Sequence, residues 1–127
     1  MSLKKKVLVM FKKKITWYKV FDSVSEAEKS VPLNKAVAIE ADKKMICLAR
    51  TAEGFFALDD ACPHQGAPLS KGECTLNGAI VCPWHKYPFD LKTGRYLDGP
   101  GDYTETYPVE LREDGLYIGI PKPWKLF

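Results

Sequence analysis

Two stretches of the 127-residue chain hold residue types able to bind a metal: ACPHQGAPL at 61–69, with Cys62 and His64, and CPWHKYPFD at 82–90, with Cys82 and His85. The chain has only two histidines, and both sit here. The four donors run C-x-H, then a gap of 17 residues, then C-x-x-H. Thiolate sulfur and imidazole nitrogen suit zinc or iron. Each histidine has a cysteine within three residues in a proline-rich stretch, which argues against incidental placement. The order of donors bears on the metal. Zinc fingers usually collect two cysteines from one knuckle and two histidines from another element. Here each stretch offers one of each, which suits a two-iron cluster reached by both, with the cysteines on one iron and the histidines on the other. A mononuclear Cys2His2 zinc site is the other arrangement these residues allow.

The elements that must hold these donors read as short β-strands. ITWYKVF (15–21), AVAIEA (36–41), MICLAR (45–50) and FFALDD (55–60) are separated by the hairpin-like DKK and TAEG. GAIVC (78–82), YPFDL (87–91), TETYPVEL (104–111) and GLYIGI (115–120) follow, with REDG as a turn between the last two. Only SVSEAEKS (23–30) has helical character, with Ser23 or Ser25 as N-cap. Regular short strands and frequent turns predict an all-β sandwich or barrel. Two stretches, 61–77 and 82–103, break the rhythm; loops of this length in a small β domain are usually functional.

A chain of this length makes one domain and can bury a modest core. Its 46% apolar and 28% charged residues are those of a globular protein, without the deficit that marks disorder. No apolar run approaches the roughly 20 residues of a membrane span. VLVMF (7–11) is too short for a signal peptide and is flanked by lysines, so the expected location is cytoplasmic. The net charge of +3 is uneven: residues 1–20 carry seven lysines and no acid, while the rest has 12 basic and 16 acidic residues. Residues 1–14 thus read as a basic leader, 15–121 as the domain proper and 122–127 as a tail. With no basic helix and no sheet face pairing aromatic with basic residues, nucleic acid is not an expected partner.

The motif pair ACPHQGAPLSKG (61–72) and CPWHKYPFDLKTG (82–94) resembles the Rieske iron-sulfur family, and within it the small soluble Rieske-type ferredoxins. The resemblance runs from about Trp17 to Ile120, through LDDACPH, FDLKTG and YPVELREDGLYI. It implies a β-sandwich or barrel base carrying an inserted cluster-binding subdomain, with loops at about 61–103, and one Rieske-type 2Fe-2S cluster. Cys62 and Cys82 would hold the inner iron and His64 and His85 the outer one. Two neutral imidazoles leave such a site less negative than a four-cysteine one.

Departures from the family pattern are informative. Ala67 and Trp84 stand where high-potential respiratory members have a second cysteine pair that forms a disulfide, so none is expected here. Tyr87 and Phe89 stand where those members have a serine and a tyrosine whose hydroxyls donate toward the cluster. Phe89 has no hydroxyl, and Tyr87 is too long for a serine's pose. Fewer donors imply a low potential, roughly −150 mV. Lys86 replaces the glycine of many ferredoxins and would be strained if its φ were positive. Cys47 reads as a small buried hydrophobe and Cys74 as a spare thiol between the loops.

The resemblance and the chain's limits together point to an electron carrier rather than an enzyme. There is no room for a flavin or nicotinamide domain, no G-x-G-x-x-G, and no spare histidine for a separate mononuclear iron. The expected partners are a reductase on one side and a ring-hydroxylating dioxygenase or nitrite-reductase-like enzyme on the other. Two other roles fit the same residues: a non-exchanging small subunit of a nitrite-reductase-type complex, and a cluster-based redox sensor in which the basic leader matters.

Overall fold

The apolar runs fold into antiparallel strands in a computed structural model that describes residues 14–63, 66–84 and 86–122. The order is β1 (Lys14–Phe21), α1 (Val24–Ser30), β2 (Lys35–Ala41), β3 (Lys44–Thr51), β4 (Gly54–Asp59), a 3₁₀ turn (Leu69–Lys71), β5 (Glu73–Cys74), β6 (Ala79–Val81), β7 (Pro88–Asp90), β8 (Thr106–Tyr107), β9 (Val109–Arg112) and β10 (Gly115–Lys122). The all-β expectation holds, with α1 the single α-helix among the described residues. Ser23 is its N-cap, its hydroxyl accepting from the Glu26 amide at 3.0 Å. Lys14 opens β1 and Lys122 closes β10. The rest of the expected leader and tail lies outside the described residues.

Three sheets form among the described residues: β1-β10-β9, β2-β3-β4-β8 and β5-β6-β7. The β2–β3 hairpin closes through Asp42 (φ 52°) and Lys43 (φ 63°). A two-residue turn with both φ positive matches the twist of the flanking strands, which explains why DKK serves without a glycine. TETYPVEL, read as one strand, is two. Pro108 lies between β8, which joins β4, and β9, which joins β10. Proline has no amide hydrogen to continue a ladder.

The middle sheet is shared by two cores. Side chains alternate across a strand, so β3 sends Ile46 and Leu48 to one side and Cys47 and Ala49 to the other, all four fully buried. Ile46, Leu48 and Ala57 pack with Ala27 of α1 and with Leu116, Ile118 and Ile120 of β10. Cys47, Ala49 and Leu58 pack against Leu69, Ile80, Phe89 and Leu91 of the segment that leaves β4 and returns at β8. This second burial explains why MICLAR is almost continuously apolar. The segment is thus an insertion standing on the outer face of the middle sheet. Leu48→Ala is expected to cost about 2–5 kcal/mol, as a large-to-small change in a packed core. Urea unfolding would read the loss, and a value under about 1 kcal/mol would contradict the two-core description.

Candidate metal centre

The two donor stretches are built on one backbone plan. In the first, the Cys62 amide donates to the Ala67 carbonyl at 2.8 Å, the Gly66 amide donates to the Cys62 carbonyl at 2.7 Å, and Ala61 bridges Pro68. In the second, the Cys82 amide donates to the Tyr87 carbonyl at 2.8 Å, the Lys86 amide donates to the Cys82 carbonyl at 3.0 Å, and Val81 pairs with Pro88. Each of these contacts in the first loop has its counterpart twenty positions on in the second. The sequence carries the same repeat, C-P-x4-P, at 62–68 and 82–88. That repeat is the signal sequence reasoning passed over.

The repeat settles the backbone at Lys86. The fourth residue after each cysteine must turn its amide back to the cysteine carbonyl, and it does so with positive φ: 75° at Gly66 and 59° at Lys86. Glycine takes this conformation freely, whereas a residue with a Cβ is strained by about 1–2 kcal/mol. Lys86 thus has the positive φ that strains a residue with a Cβ, and it is exposed.

Cys62 and Cys82 are both buried, 2% and 0% exposed, and belong to the same apolar cluster with Leu69, Ile80 and Leu91. His64 and His85 lie outside the described residues. Among the described residues no group of three or more His, Cys, Asp or Glu side chains is close enough to hold a metal ion. The structure therefore places both cysteines in one buried apolar cluster, and the two histidine positions lie outside the described residues. Ala67 is buried and Trp84 is 61% exposed. None of the four cysteines forms a disulfide.

Neighbouring segments brace the loops. Asp60 receives the Leu69 amide on its carbonyl and the Ser70 amide on its carboxylate at 2.7 Å, fixing the end of the first loop. Behind the second loop, the Tyr96 ring meets Tyr87 edge-on and Phe89 at a tilt, each with centroids 5.7 Å apart. Tyr96 is carried by a third segment, 91–105 between β7 and β8, that Gly94 holds down. A Cβ there would sit 2.0 Å from the Thr104 carbonyl oxygen, so only glycine permits the approach. The Asp90 carboxylate starts this segment by accepting from the Lys92 and Thr93 amides at 2.7 and 3.1 Å. Tyr96 and Thr104 escaped the sequence reading because they act through packing and backbone, not through a donor atom.

The remaining cysteines are set apart by environment. Burial, with Asp60 and Cys74 adding to it, pushes the Cys47 thiol far above its ordinary pKa, so it stays protonated. Cys74 is half-buried and its thiol reaches the Lys35 carbonyl at 3.8 Å. Burial raises its pKa as well, partly offset by the nearby Lys35 charge.

The family model described as Rieske [2Fe-2S] domain matches residues 16–108. The ferredoxin subunit of 3-phenylpropionate/cinnamic acid dioxygenase from Escherichia coli K12 is 33% identical over 93 residues, covering 72% of this chain and 87% of that one. Its counterpart from Photorhabdus laumondii is 40% identical over 67 residues, which is 52% of this chain and 64%, a little under two thirds, of that relative. Among solved structures, the ferredoxin of carbazole 1,9a-dioxygenase from Nocardioides aromaticivorans superposes with a TM-score of 0.71 at 22% identity, over 84% of this chain and 99% of that one. A putative NADH-dependent nitrite reductase small subunit from Mycobacterium tuberculosis gives 0.72 at 21%, over 84% and 96%. Both structures agree with this chain in fold.

The matched loops yield a paired stability test. Lys86→Gly is expected to raise stability by about 0.5–1 kcal/mol, the strain relieved less the entropy glycine loses on folding. Gly66→Ala is expected to lower it by about 1 kcal/mol or more. Thermal melts of the two variants would check both signs, and equal shifts in one direction would contradict the shared loop plan.

Proposed function

This chain belongs to the Rieske [2Fe-2S] domain family, whose cofactor is a Rieske-type 2Fe-2S cluster, and from that premise we propose that it is an electron carrier. It takes one electron from a reductase and delivers it to a terminal oxidoreductase, of the ring-hydroxylating dioxygenase or nitrite-reductase kind. In this reading Cys62 and Cys82 bind one iron and His64 and His85 the other. The observation that carries it is the pair of matching loops, each opening on a buried cysteine.

The residues present fit the group. Cys62 and Cys82 are buried in one apolar cluster, and cysteine sulfur is the donor that iron-sulfur clusters take. When bound, the cluster accepts and releases one electron. The chain's own residues do the rest. Pro63 and Pro83 stiffen each loop directly after its cysteine. Leu69, Ile80 and Leu91 keep water from the sulfurs, and a dry surround is one of the levers that set a potential. Phe89, fully buried behind the second loop, contributes no hydroxyl where a donor would favour the reduced cluster.

Three measurements test the reading. EPR of the dithionite-reduced protein, with iron and sulfide analysis, should give a Rieske-type signal and two irons per chain. His64→Ala and His85→Ala should abolish that signal, and Cys62→Ala and Cys82→Ala should prevent cluster assembly; Cys47→Ser and Cys74→Ser should leave it intact. A normal signal in either histidine variant would contradict the ligand assignment. Redox titration should place the midpoint near the low end of the Rieske range, about −150 mV, and a value well above 0 mV would refute the low-potential reading.

A further inference from the structure

The strained lysine of the second loop shares a groove with another lysine, Lys71. Lys86 and Lys71 both line a groove of about 320 Å³ on the β5 flank of the cluster loops, with Cys74 and Pro83 in its wall. Both side chains are exposed, and among the described residues neither takes part in an ion pair. Glu73 lines the same groove without bridging to either. Lys35 lies on this flank too, within electrostatic reach of Cys74. The acidic residues of the insertion are mostly elsewhere. Asp98 and Asp102 belong to the third segment, which joins the sheet beyond β7, so that β7 lies between it and the groove wall at Val81 of β6.

Strain is kept at a position when something else holds it there, and it clusters at functional sites. Lys43 also has positive φ, but in a two-residue hairpin turn that demands it of any residue. At position 86 the twin loop meets the same demand with glycine, so the strain buys a charge at a chosen place. Two residues before Lys86 in the chain is Trp84, 61% exposed, an amphipathic ring of the kind enriched at interfaces.

We infer that Lys71 and Lys86 form a positive lip on the electron port, and that the redox partner docking there presents carboxylates to it. The inference rests on the cluster assignment proposed above. Its role is in encounter, since exposed charges at a rim govern association rate and salt dependence more than the strength of the final complex.

The test uses two small oxidants of opposite charge on the reduced, cluster-loaded protein. Ferricyanide takes one electron from the protein and leaves as ferrocyanide; hexaamminecobalt(III) takes one electron as a cation. At an ionic strength of about 0.02 M, Lys86→Gln, Lys86→Gly and Lys71→Gln should each slow oxidation by ferricyanide about threefold and leave the cobalt rate equal or faster. Lys29→Gln, on α1 at the far core, should change neither. In about 0.5 M salt the differences should vanish. Equal slowing by Lys86→Gln and Lys86→Gly separates charge from backbone strain. Unchanged ferricyanide rates in the lysine variants, with their EPR signal intact, overturn the positive lip. Slowing by both oxidants alike overturns it as well, since a charge effect must differ in sign. Absence of a Rieske signal in the unsubstituted protein removes the cluster reading instead.

Discussion

β3 is buried on both faces, and the rest of the molecule is arranged around that constraint. Ile46 and Leu48 anchor the base, while Cys47 and Ala49, one position out of phase, form the floor under the two cysteine loops. A slip of one residue in its pairing would exchange the two sets. Two full ladders prevent it, running from Lys35↔Arg50 to Ala41↔Lys44 on one side and from Ile46↔Asp59 to Thr51↔Gly54 on the other. The floor must also be thin. Cysteine and alanine are small, and they leave room above for the Leu58, Leu69, Ile80 and Phe89 side chains that pack there.

On this floor the two loops solve one problem twice. Each must turn a cysteine inward, close on itself within seven residues and keep its polar backbone satisfied in a dry setting. The reciprocal bonds between each cysteine and the residues four and five further on do all three. Buried amide and carbonyl groups left unpaired would cost about 1–3 kcal/mol apiece. The loops differ in the spacing from cysteine to histidine and in the residue carrying the positive φ.

Much of this was legible in the sequence. Eight strand runs and the one helix were found from apolar patterning and turn residues, because those patterns report burial directly. The 3₁₀ turn and the two-residue β5 were not, since Leu69–Cys74 is too short to show a period and is held by Asp60 and by Val81. The single strand read across 104–111 divides at Pro108, a residue whose effect was overlooked beside its β-branched and aromatic neighbours. At the site, cysteine and histidine announce themselves by chemistry. Tyr96, Gly94 and Thr104 do not, because a ring that supports a loop and a glycine that permits an approach are visible only once the chain is folded. Lys86 lies between the two cases: its backbone was inferable from Gly66 through the C-P-x4-P repeat, but only if the loops were compared with each other rather than read one at a time.

The insertion leaves from β4 and returns at β8, and these two strands are direct neighbours, Ala57 opposite Tyr107 and Leu58 opposite Thr106. Topologically, residues 60–105 are the connection of an ordinary antiparallel hairpin, grown until it has a sheet of its own and a core closed against β3 and β4. Its two ends are held a single strand spacing apart by the base, whatever lies between them. The architecture is therefore modular in the sense an engineer would use. The socket is one hairpin stem, and the subdomain that carries the two cysteine loops is the part plugged into it.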